Sequence, residues 1–197
     1  FRQSFPVSWF KYKYNSRIFV FMENLEILMD DRSMPENPRH ENRLTEHGLS
    51  IYFEKDGLKW LVDTGLTGKF AENAKHSGID ISQVDHLVLS HNHNDHTGGL
   101  ETFLQSNSKA IIHLSEWIRE STCLSMRNNQ RIDIGLDRSL LKNHASRFAW
   151  HPSKNVQLTD HVWLLGDIPS VNPLPQANAT LYWTFKGKDA PDPRSEE

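Results

Sequence analysis

Residues 90–99 read SHNHNDHTGG, which places three imidazoles and one carboxylate within six positions, at His91, His93, Asp95 and His96. A segment this polar cannot be core, yet it directly follows residues 85–90 (DHLVLS), whose apolar centre between polar ends reads as a buried strand. The chain must therefore carry a buried strand to an accessible edge and turn there, with Gly98 and Gly99 permitting close backbone approach at the entry to the next helix. In extended or looped backbone, side chains at i and i+2 point the same way, so His91 and His93 can clamp one ion, while the turn lets Asp95 and His96 face a second. Imidazole and carboxylate suit zinc, as one or two ions, and also manganese or iron. Bound there, such an ion lowers the pKa of water from about 15.7 toward about 7, so hydrolysis or group transfer by metal-bound hydroxide is the expected chemistry. Asp95 is the candidate catalytic carboxylate, able to ligate, to orient the attacking hydroxide or to carry its proton. The bland alternative is a solvated histidine-rich loop. The strand before the cluster and the helix after it favour the metal reading.

The rest of the chain alternates between strand and helix signals. Residues 17–22 (RIFVFM) have the β-branched and aromatic content of a first strand, and residues 30–41 are a loop rich in charge, Pro and Asn. Residues 50–55 and 58–63 flank Asp56-Gly57, a pair suited to a hairpin turn with positive φ. Thr67 can cap a helix carrying Phe70, Ala71 and Ala74 on one face and ending at Gly78. After the histidine cluster, Leu100, Phe103 and Leu104 give a second helical face, followed by a strand at 109–113 and a helix that Ser115 can cap. The pattern loosens at 125–147, read as an insertion or lid. Strand character returns at 156–165, and residues 172–197 read as a loop-rich tail. The domain division is a flexible leader at 1–16 and one domain at 17–197.

Composition narrows the partners. At 197 residues and 37% hydrophobic content, one domain with a real core is expected. The 22 basic and 25 acidic residues are interspersed, so no nucleic-acid partner is expected; a small-molecule substrate is. Six tryptophans without a basic patch do not make a stacking platform, and Trp117, Trp150 and Trp163 read as core or lid residues. Cys123 is the sole cysteine, which excludes an internal disulfide and a thiolate-rich zinc site and suits a reducing compartment. No apolar run approaches the roughly 20 residues that span a bilayer, and the N-terminal FRQSFPVSWFKYKYN lacks a signal peptide's apolar centre. A cytoplasmic protein without a membrane partner is expected. Oligomeric state has no sequence signal here.

His91-Asn92-His93-Asn94-Asp95-His96 resembles the HxHxDH signature of the metallo-β-lactamase superfamily, and residues 61–65 (LVDTG) resemble its upstream Asp motif. Within the superfamily, residues 45–65, 77–100 and 164–169 (LLGDIP) are similar to a subgroup of metal-dependent hydrolases. That subgroup includes the dihydropterin ribofuranosylaminobenzene phosphate synthases, and the likeness covers residues 17–169. The resemblance implies an α/β fold, a four-layer αββα sandwich with metals at one edge between the sheets. It also implies a buried Asp63 that orients the ligands from behind. Further ligands are implied downstream, one in a Gly-Cys-Ser-His-like motif after LLGDIP, and that motif is missing. Cys123 lies in STCLSM with no histidine after it, and no histidine follows His161. With Phe1 in place of Met, the expectation is a fold incomplete at its C-terminus. His151 or His161 is the alternative third histidine of a one-ion site, His113 reads as packed or exposed, and Glu46, His47 and Asp167 are cleft candidates. The functional alternatives are a truncated, non-catalytic metal-binding domain, and the RNA-processing nuclease branch, whose substrate-clasping domain and basic surface are not visible. β-Lactam hydrolysis has no support outside the shared motif.

Overall fold

The computed structural model describes residues 24–32, 42–127, 130–166 and 176–192, with the side chain of residue 177 left aside. In chain order the strands are β1 (Asn24–Met29), β2 (Ser50–Lys55), β3 (Leu58–Val62), β4 (His86–Val88), β5 (Ile111–Ser115) and β6 (Ser121–Ser125). There follow β7 (Ile132–Asp133), β8 (Phe148–His151), β9 (Val156–Gln157), β10 (Trp163–Leu164), β11 (Leu181–Phe185) and β12 (Lys188–Pro191). The helices are α1 (Lys69–His76), α2 (Asn94–Thr97), α3 (Leu100–Ser106), α4 (Trp117–Glu120) and α5 (Arg138–Asn143).

The β2–β3 hairpin forms as its turn pair dictates, with Asp56 at φ 56° and Gly57 at φ 74°. It starts a six-stranded sheet in the order β1-β2-β3-β4-β5-β8. The pairs from β3 onward are parallel, so each connection must cross over the sheet, and α1 and α3 supply two of these crossovers. Leu61, Leu87 and Ile112 pack in one buried cluster with Phe70, Ala74, Leu100 and Phe103 from the two helices. Burying each such aliphatic or aromatic side chain is worth roughly 1.5–3 kcal/mol, and together they make the sheet a rigid platform. The α1 face is as expected, with Thr67 Oγ1 accepting from Lys69 N at 3.3 Å and Gly78 at φ 71° past the end.

A second sheet, all antiparallel, runs β12-β11-β6-β7, and β9 and β10 form a small separate ribbon. One helix layer and two sheets of the four-layer sandwich are thus present. Among the described residues no helix outside α1 and α3 exceeds the six residues of α5. No described helix is long and apolar enough to cross a membrane.

Several elements differ from their sequence expectation. Residues 17–22 and the 1–16 leader lie outside the described residues, and the first described strand is instead Asn24–Met29. The strand expected at 109–113 begins two residues later because the Asn107 carboxamide accepts from Lys109 N and Ala110 N, holding 107–110 in a turn. The expected strand at 156–165 is broken into β9 and β10, since Thr159 Oγ1 accepts from His161 N and Val162 N and turns the chain between them. The expected loop-rich tail contains the β11–β12 hairpin, turned at Lys186 (φ 50°) and Gly187 (φ 76°). Within 125–147, β7 joins the second sheet and Asp137 caps α5 through Ser139 N, while Leu136 is buried in the main cluster. That segment carries more structure than its charged pattern predicts.

Candidate metal centre

The site is built where β3 and β4 end side by side. Asp63 follows β3, its N–H donating to Val88 O at 2.9 Å and its backbone turned to φ 57°. That left-handed geometry costs an aspartate roughly 1 kcal/mol, and it aims a buried carboxylate along the sheet edge. Asp63 Oδ1 accepts from Ser90 N at 2.8 Å. Its Oδ2 accepts from Ser90 Oγ at 2.7 Å and from His96 Nδ1 at 2.8 Å. An ionised carboxylate only accepts, so His96 Nδ1 carries the proton and Nε2 keeps the lone pair a metal needs.

Residues 90–93 are looped and α2 begins directly after His93, whose carbonyl accepts from Thr97 N at 3.0 Å. The loop brings His91 beside both other imidazoles, with ring centroids 4.9 Å from His93 and 4.2 Å from His96. Asp95 Oδ2 lies 3.6 Å from His96 Nε2 and 3.4 Å from His47 Nε2. All four motif residues are thus gathered at one strand end. His47, mostly exposed, borders them through its contact with Asp95. Glu46 does not: its carboxylate accepts from Thr67 N and Thr67 Oγ1 and meets Lys69, so it secures the start of α1. Asp167 lies outside the described residues.

Two glycines allow this crowding. A Cβ on Gly48, at φ 131°, would stand 2.1 Å from Asp95 O, and one on Gly98 would stand 2.1 Å from Leu66 O. The loops after β1, β3 and β4 therefore touch backbone to backbone, and Thr64 N donating to His96 O at 2.8 Å locks them.

The alternative third histidines are elsewhere. His161 Nδ1 pairs with Asp56 Oδ2 at the β2–β3 turn, 2.7 Å away. His151 belongs to a ladder across the sheet: His86 Nδ1 meets His113 Nε2 at 2.9 Å, and His113 Nδ1 meets His151 Nε2 at 2.9 Å. Trp60 stacks on His86 at 4.2 Å, and Phe53 stacks on Trp60. Burial pushes His113 down to about 4, with His86 and His151 adding to the effect. Burial also lowers His86 and His151, against opposing pulls from Asp85 and Glu116 respectively. Trp117 and Trp163 are largely exposed, and Trp150 lies under the Arg119 guanidinium, 4.4 Å from its ring centroid.

Sequence reasoning missed two residues at the site. Asp192, after β12, sets its Oδ2 3.1 Å from His93 Nε2, and the thiol of Cys123 on β6 lies close to both. No local pattern marks either one, because both are brought in by the second sheet. The donor chemistry around β4 fits a divalent transition ion: imidazoles with a carboxylate fixing one tautomer, and further carboxylates nearby to balance charge.

Residues 44–134 match the profile of the Metallo-beta-lactamase superfamily. Over 75 residues the chain is 35% identical to a metal-dependent hydrolase of Staphylococcus carnosus, covering 38% of this chain and 31% of that protein. It is 40% identical over 75 residues to the 7,8-dihydropterin-6-methyl-4-(beta-D-ribofuranosyl)-aminobenzene-5'-phosphate synthase of Methanocaldococcus jannaschii, covering 34% of this chain and 24% of that one. Among solved structures, a metal-dependent hydrolase of the beta-lactamase superfamily superposes with a TM-score of 0.64 at 22% identity, over 87% of this chain and 57% of that chain. This last likeness is one of fold. The matched stretch spans 31% and 24% of the length of these two curated relatives.

Proposed function

We propose that the chain is a metal-dependent hydrolase of the metallo-beta-lactamase superfamily, whose profile matches residues 44–134, with its ion or ions held by His91, His93, Asp95 and His96. The observation that carries this reading is the Asp63–His96 pair at 2.8 Å, a buried carboxylate holding one imidazole of a close-set trio in the tautomer that ligates. When bound, the ion supplies an activated water and polarises the bond under attack. Zinc is the ion proposed first.

The protein's own groups divide the remaining work. Asp63 and Ser90 fix the geometry from behind. Asp95, partly exposed and within 3.6 Å of two imidazole nitrogens, is the group placed to accept a proton and pass it to His47 at the cleft rim. The substrate proposed is a small, phosphate-bearing ester, a class suggested by the phosphate in the name of the Methanocaldococcus relative. A reducing, cytoplasmic setting agrees with a single buried thiol.

Elemental analysis of the purified chain, followed by a panel of phosphodiester, phosphonate, lactone and β-lactam substrates, tests the reading. Turnover of a phosphate ester that stops with a chelator and returns with zinc is the expected result. A folded chain that takes up no transition metal would refute it.

A further inference from the structure

We propose that His93, Cys123 and Asp192 together form a thiolate-bearing position for one zinc-class ion, so that the second sheet supplies two ligands to the centre. The inference rests on the metal-binding reading above and extends it to residues outside the motif. All three side chains are at least nine-tenths buried, and one donor atom from each lies within 4.8 Å of the other two. The closest pair, His93 Nε2 and Asp192 Oδ2, is 3.1 Å apart. A tetrahedral zinc with bonds of about 2.0–2.3 Å sets its donors roughly 3.5 Å apart, so small side-chain shifts suffice to close the triad on an ion.

The backbone around the triad is already tied. Cys123 O accepts from Ile134 N at 2.9 Å, and Ile134 O accepts from Asn94 N, the residue after His93, at 2.7 Å. Asp192 is placed by its own N–H on Leu181 O at 3.0 Å, and Cys123 lies opposite Trp183 in the β11–β6 register. The three ligands thus come from the start of α2, the middle of β6 and the end of β12, each held by main-chain bonds rather than by a flexible loop.

Charge favours an ion over a purely hydrogen-bonded cluster. A carboxylate with its side chain fully buried is costly to keep ionised in a low-dielectric setting, and a divalent cation offsets that cost. On coordination the Cys123 S–H bond breaks, its electron pair goes to the metal and its proton to solvent. A thiolate, an imidazole and a carboxylate select zinc or cobalt(II) over manganese or magnesium, which narrows the choice left open by the motif.

The test is a cobalt(II) titration of the full 197-residue chain, reduced and stripped of metal. Expected is a thiolate-to-cobalt charge-transfer band in the near ultraviolet, saturating at one equivalent. The Cys123→Ser variant loses that band while keeping the visible bands of imidazole-bound cobalt. Even residues that only orient a ligand contribute about 10–100-fold to metal affinity, so Asp192→Asn is expected to cost about tenfold or more. Uptake of cobalt by the unaltered chain with visible bands and no thiolate band would overturn the inference and leave the hydrolase reading standing. No uptake at all would overturn both. Because the unaltered chain decides the matter, a variant that fails to fold does not rescue the proposal.

Discussion

Two trios of histidines lie within this small sheet, and they do different things. His91, His93 and His96 stand at the end of β4 with carboxylates beside them: Asp63 on His96, Asp192 on His93, Asp95 between His96 and His47. His86, His113 and His151 cross the sheet diagonally, each two residues further along the next parallel strand, and bond to one another. The first trio lies among carboxylates at a partly open strand end, the setting the proposed metal ligands require. The second is a neutral, stacked wall under Trp60, with burial depressing its basicity. The difference teaches that the partner of an imidazole, more than the density of imidazoles, decides whether a cluster is suited to bind or to pack.

The contrast can be broken from either side. The largest expected effect is on the packed trio: Trp60→Ala removes a fully buried indole from the ladder and is expected to cost about 3–5 kcal/mol of stability by urea unfolding, with metal content unchanged. Should metal be lost from the folded fraction of that variant, the two trios are coupled and the distinction fails.

Next in size is Asp63→Asn, which keeps a residue tolerant of positive φ but replaces one carboxylate oxygen by an NH2, so that Ser90 N and His96 Nδ1 can no longer both donate to it. Metal affinity is expected to fall about 10–100-fold, measured by competition with a chromophoric chelator, while the unfolding midpoint of the metal-free protein changes little.

A smaller effect follows from pH. His113 is depressed from its ordinary 6.5 to about 4 in the fold, so between those values the unfolded chain binds a proton that the native ladder refuses. Its stability contribution is complete above pH 6.5 and is lost as pH falls toward 4, at most about 1.4 kcal/mol per pH unit. His86 and His151, shifted the same way, add to the slope. Urea midpoints of the metal-free protein at pH 7 and 5 should show a drop that His113→Gln flattens. An unchanged slope would mean that the ladder is not the source.

The smallest effect is at His161, whose pair with Asp56 is exposed to solvent. His161→Ala is expected to leave both the unfolding midpoint and the metal content where they were. A loss of bound metal there would restore it as a ligand.

What was legible in the chain is what depends on near neighbours. The Asp56-Gly57 turn, the α1 face and the run from His91 to His96 each declare themselves within a dozen residues, because turn geometry and side-chain periodicity are local properties. Asp63 was legible only through resemblance, since the bond its carboxylate makes to His96 spans 33 residues. The histidine ladder had no local signature, since it exists only once β4, β5 and β8 align in parallel. Cys123 and Asp192 were invisible for the same reason, and the β11–β12 strands were obscured by the Pro and Asn residues before them. The bonds from Thr67 to Glu46 had no local signature either, because they join residues 21 positions apart.

The hydrogen bond from His93 to Asp192 joins residues 99 positions apart. Contacts of that separation carry the entropic cost of closing a long loop, a cost that the local β2–β3 hairpin does not bear. The motif loop and Asp192 therefore meet only where the β11–β12 hairpin is seated beside β6. An ion held by His93, Cys123 and Asp192 would act as a clasp between the strand end that carries the motif and the second sheet.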